Sequence, residues 1–121
     1  MPPKRIPSET GRAAVDAALS GSRTDLPTAV RFLLQVLAEG AEGNTVEVRV
    51  PPFGAVQAIQ GPRHTRGTPP NVIEMDAQTW LALATGSLSW ADATASGRVS
   101  ASGQRADLTA YLPVSWGTIE A

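Results

Sequence analysis

Residues 76–112 read DAQTWLALATGSLSWADATASGRVSASGQRADLTAYL, and the order of caps, apolar stripes and turn residues within them decides the fold. Asp76 stands where a carboxylate can accept the free N–H groups of a helix's first turn. Ala77, Trp80, Leu81 and Ala84 then fall along one side of that helix, and Gly86 can take the left-handed conformation that ends it. Ser89 and Asp92 have the spacing of a capping box, so a second short helix runs toward Gly97. Arg98–Ser102 alternates as a strand and Gly103 turns the chain. Ala106–Tyr111 makes a last helical segment, limited by Pro113.

Upstream, Asn71–Met75 has strand character and follows a Gly- and Pro-rich loop, Gly61–Pro70. Thr45–Val50 alternates valines with charges, as a strand with one buried face does, and Pro51-Pro52 stops it. Ala55–Gln60 is the next strand, and a β-meander is expected through this middle third. Further back, Val30, Leu33, Leu34, Leu37 and Ala41 lie on one stripe of a helix that Asp25 is placed to cap, with Pro27 in its first turn and Gly40 at its end. The opposite face of that helix carries Arg31, Gln35 and Glu39. An Ala-rich helix covers Ser8 to about Leu19, and residues 1–7, with three prolines and two basic side chains, form a flexible arm.

Composition excludes more than it identifies. The 121 residues, 42% hydrophobic and 17% charged, suit one compact core. A net charge of −1 leaves no basic excess of the kind nucleic acid or an anionic membrane attracts. The chain has no cysteine, so disulfides, thiolate metal sites and a cysteine nucleophile are excluded. The apolar run Val30–Ala38 is too short for a bilayer, and no secretory signal is visible, so a cytoplasmic location is expected. One histidine cannot make a two-histidine metal site. No GxGxxG, GxxxxGK[ST] or GxSxG motif occurs. Glu74 and Asp76 are close in sequence, but Asp76 already has work as a cap. No cofactor and no catalytic residue is therefore expected.

The second half resembles the SCP-2 (sterol carrier protein) domain family. The features that carry the resemblance are Asp76, Leu81 and Leu83, Gly86-Ser87-Leu88, Ala93, and then Gly97-Arg98-Val99-Ser100-Ala101-Ser102-Gly103. The stretch from Val46 to Pro113 is also similar to small actinobacterial proteins grouped as a sterol carrier family. What the resemblance implies is an α+β fold over residues 8–121, with a mixed sheet of about four to five strands covered on one face by helices and N-terminal helices preceding the sheet. It also implies an apolar cavity between sheet and helices for a fatty acyl chain or sterol, in a protein that is not an enzyme. Thr94 and Ala95 stand where the family has bulky apolar residues, and Gln104 where it usually has Asp, which thins that lining. Gly61–Pro70 occupies a place where the family runs further strand segments.

Two sets of residues are candidates for ligand contact. Phe53, Val56, Ile59, Trp80, Leu83, Leu88, Trp90, Leu108 and Leu112 either line a cavity or simply form the core, since so small a domain has few apolar residues to spare. Trp90, in the first turn of its helix, can flank a pocket mouth. Arg63, His64 and Arg66 form the densest basic cluster and can grip an anionic head group, or else pair with Glu47, Glu74 or Asp76 and pin the loop to the sheet. The expected partner is a lipid-like small molecule. A protein-interaction or accessory module of the same fold, working through a partner or as a homodimer, is the alternative.

Overall fold

The structure is a computed structural model that describes residues 4–61 and 71–117. It runs α1 (Ser8–Leu19), α2 (Leu26–Gly40), β1 (Val46–Val50), β2 (Gly54–Ala58), β3 (Asn71–Met75), α3 (Ala77–Thr85), α4 (Trp90–Ala95) and β4 (Val99–Ser102), then a 3-10 turn at Thr109–Tyr111. Among the described residues the strands form one mixed, four-stranded sheet in the order β2-β1-β3-β4, preceded by the two N-terminal helices.

Register explains why the helices cover one face. Val48 stands opposite Val56 in the antiparallel β1–β2 pair and opposite Ile73 in the parallel β1–β3 pair, and Met75 stands opposite Val99 in the antiparallel β3–β4 pair. Strand side chains alternate, so Val46, Val48, Val50, Ala58, Ile73, Met75 and Val99 share a face, and all are buried. Glu47, Arg49, Gln57, Glu74, Ser100 and Ser102 point the other way and stay wholly or partly exposed. There Arg49 donates to Glu47 at 2.9 Å and lies 4.0 Å from Glu74, an exposed network of small energetic weight.

Over the inner face, Val30, Leu33 and Leu37 of α2 and Trp80, Leu83 and Ala84 of α3 are almost entirely withdrawn from water. Each large side chain buried there contributes about 1.5–3 kcal/mol. The Trp80 indole Nε1 donates to the Val30 carbonyl at 3.3 Å, which joins α3 to α2 and satisfies the one polar atom of a buried ring. α1 packs on α2 where Gly11 faces Phe32, and a Cβ on Gly11 would clash with the Phe32 ring. Close packing thus accounts for a glycine that otherwise costs a helix interior about 1 kcal/mol.

Most of the local signals act as the sequence indicates. Asp76 accepts the Thr79 N–H at 2.7 Å, Ser89 accepts the Asp92 N–H at 3.1 Å, and Gly86 ends α3 at φ 94°. Four expectations need correction. β3 does not continue a meander but crosses to pair in parallel with β1, which the long segment 59–70 permits. β2 stops at Ala58 because Ile59 takes φ 73°, held by bonds from its N–H to the Ala41 carbonyl (2.6 Å) and from the Thr45 N–H to its own carbonyl (3.1 Å). Asp25 precedes α2 without capping it. Its backbone is helical (φ −89°, ψ −10°) rather than extended as a capping residue's is, and its carboxylate takes the Ser22 hydroxyl at 2.6 Å instead. The last segment shrinks to one 3-10 turn, as Asp107 draws the Thr109 N–H (2.8 Å) and hydroxyl (2.6 Å) into a local loop.

Two stability measurements follow from this packing. Gly11→Ala is expected to lose about 1–3 kcal/mol in urea unfolding through overpacking against Phe32, despite alanine's better helix propensity. Asp76→Ala is expected to lose about 1 kcal/mol near neutral pH. The bonds from Thr79, that of its backbone first, hold the Asp76 carboxyl below its usual range. The cap's contribution is therefore complete above the unfolded-state pKa and fades as pH falls through the lower folded-state value. The difference between variant and wild type should disappear in acid.

Candidate functional site

α2 lies close along β2, the edge strand of the sheet. Small inward residues on β2 allow the approach, since even a Cβ built on Gly54 would stand 3.4 Å from Arg31 Cγ and Leu34 Cδ1. Ahead of α1, the segment Lys4–Pro7 runs against the same helix. The Gln35 amide grips Ile6 at both backbone positions, accepting its N–H at 2.8 Å and donating to its carbonyl at 2.9 Å. One turn on, the Glu39 carboxylate accepts from Arg5 Nε at 2.6 Å and Nη2 at 2.9 Å. Arg31, Gln35 and Glu39 recur every fourth residue and so form one row along the helix. The bond from Arg5 holds the Glu39 carboxyl below its usual range.

Segment, helix and strand together bound a groove of about 640 Å³, within the roughly 300–1,000 Å³ typical of small-molecule sites. Ile6, Leu34, Ala38, Phe53 and Val56 give it an apolar lining, and Lys4, Arg5 and Arg31 give it a cationic edge. Arg5 is engaged by Glu39, whereas Arg31 makes no ion pair among the described residues. A smaller depression of about 280 Å³ lies between the end of α2 and Ala110–Ser115 and includes Leu112.

Of the residues expected at a ligand site, Phe53 and Val56 line the groove. Ile59, Trp80, Leu83 and Leu108 are buried in the core, and Leu88 and Trp90 pack half-buried against it. Thr94 and Ala95 are exposed on α4 and line no part of the interior. Arg63, His64 and Arg66 lie outside the described residues. The basic residues of residues 4–6 and the row on α2 were legible only as an arm and a polar helix face, because nothing local says that one docks on the other.

Among the described residues no group of three or more His, Asp or Glu could hold a metal ion, and no helix is long and apolar enough to cross a membrane. The architecture is that of a helix-covered α+β sheet with an apolar groove at its edge. A family described as "Bacterial SCP ortholog" matches residues 22–114, and the chain belongs to it. The resemblance to sterol carrier domains seen in the second half thus extends back through α2. This is a non-catalytic family, and membership connects the chain with lipid binding or transfer in general terms. No curated protein matches the chain.

The groove can be probed without knowing its ligand. Anilinonaphthalene sulfonate, an apolar dye with an anionic group, should fluoresce with the native protein. Ala38→Phe, which fills the groove from a half-buried helical position, should remove most of that signal. Dye enhancement that survives the substitution would place the apolar surface elsewhere.

Proposed function

We propose that the protein is a carrier that binds and hands on a lipid-like amphiphile in the cytoplasm, the apolar tail lying in the groove beside Leu34, Phe53 and Val56. The head group is anionic and meets Arg31 and Lys4 at the groove's edge; Arg63, His64 and Arg66, outside the described residues, are further candidates to contact it. One observation carries the reading: an apolar lining of lipid-chain size and the Arg31 guanidinium, which makes no ion pair among the described residues, belong to the same groove. Family membership supports it, and the absence of cysteine suits a reducing compartment. The single buried cluster of apolar side chains between sheet and helices favours the edge of the sheet over its centre as the place of the tail.

Native mass spectrometry with a panel of long-chain fatty acids, the matching alcohols and sterols tests this. A fatty acid should be retained at one per chain, and Arg31→Glu should weaken it about tenfold by removing a charge-assisted bond while sparing the alcohol. Val56→Trp should abolish retention of both. If no lipid is retained, the carrier reading falls. The interaction module then stands in its place, to be checked by light scattering for self-association.

A further inference from the structure

We infer that Lys4–Ile6 is a releasable strap, hinged at Pro7, whose opening gates the groove. The inference rests on reading the groove as a ligand site and concerns how that site is entered. The strap supplies one whole wall, since Lys4, Arg5 and Ile6 line the groove opposite β2. It also lies outside the residues that match the family, which begin at residue 22.

Its attachments differ in kind from those of the helix that follows. Behind the hinge the chain is fixed: Pro7 is extended at φ −59° and ψ 143°, its carbonyl accepts the Gly11 N–H at 2.9 Å, and Gly11 packs against the Phe32 ring. Ahead of the hinge the described contacts are the two bonds to the Gln35 amide, the Arg5–Glu39 pair and one partly buried apolar side chain, Ile6. The side chains of Arg5 and Glu39 are 58% and 47% exposed, so water competes for both partners and the pair contributes little. Release of the strap withdraws no fully buried side chain, only Ile6, which packs partly buried against the core. Such a segment opens far more often than the protein unfolds. Closed, it completes the wall and shields the tail of a bound amphiphile from water. Open, it exposes the length of the groove along α2.

Limited trypsin digestion of the full chain measures opening with no lipid present, because cleavage after Arg5 requires the guanidinium to leave Glu39 and the backbone to leave Gln35. Cleavage in the regime of rapid opening and closing reports the open fraction. Glu39→Gln should raise the rate after Arg5 about threefold to fivefold, and Gln35→Leu about tenfold. Cleavage after Arg12, within α1, should stay at the wild-type rate. Release of a fluorescent long-chain fatty acid, followed by stopped flow, should then accelerate in the two variants in proportion to their open fractions. Unchanged cleavage after Arg5, or acceleration shared equally by Arg12, overturns the strap. Faster cleavage with unchanged fatty-acid release overturns the gate while leaving the lipid site standing. A wild-type protein that binds no fatty acid brings down the lipid reading and the gate with it, although the cleavage data would still report the strap.

Discussion

Leu33, Leu34 and Leu37 of α2 are almost wholly buried, and they can be so only because the strand beneath the helix offers so little bulk. Gly54 and Ala58 let α2 settle against the edge strand β2, with the Arg31 stem and Leu34 within ordinary contact distance of a Cβ at residue 54. The remaining layers follow from that seating. It aligns Val30 so that its carbonyl receives the Trp80 indole, which locks α3 beside α2. It also presents Phe32 to Gly11, which brings α1 onto the far side. A larger residue on the inner side of β2 would lift α2 and loosen each of these contacts in turn.

The same seating determines what the polar side of α2 can do. A helix over the middle of a sheet turns its polar face straight out to water. A helix placed along an edge strand brings part of its flank beside the strand's end, so the half-buried Ala38, with the edge of the otherwise buried Leu34, borders a groove with Phe53 and Val56. Arg31, Gln35 and Glu39 occupy the neighbouring row, where they have room to engage another piece of chain. A side-chain amide that takes both the N–H and the carbonyl of Ile6 pairs with the backbone much as a neighbouring strand would. A carboxylate one turn later receives a guanidinium bidentately, which adds direction to attachment. Docking of residues 4–7 is thus a consequence of where α2 lies.

Residues that act on their near neighbours were legible in sequence. Asp76, Ser89 and Gly86 cap their helices through bonds spanning a few residues, and the apolar stripe of α2 needs only helical geometry to face inward. Pairings between distant segments were not legible. The crossing of β3 to the far side of β1 depends on register across the whole sheet, and alternation within Asn71–Met75 is equally compatible with a meander. Asp25 has the side chain of a cap, but its backbone is already helical and Ser22 competes for its carboxylate. At the groove, Phe53 and Val56 could be singled out because apolar residues flanking a strand are few. Lys4, Arg5 and Arg31 could not, since a charged residue on a proline-rich segment or a helix face reads as solvated until a tertiary partner is known.

A chain of 121 residues has little apolar surface to divide between a core and a cavity. Here the division favours the core: Trp80, Leu83 and Leu108, expected at a ligand site, are wholly buried members of one apolar cluster. An internal hollow would forfeit contacts on every side of its lining, a loss such a domain tolerates poorly. A groove at the sheet edge avoids that loss. Two of its walls, α2 and β2, stand whether or not anything occupies the space between them, and the third is a short segment attached by a few exposed or part-buried polar bonds and one half-buried side chain. Ligand access and fold stability then depend on different contacts, so the site can open without weakening the sheet and helices that position it.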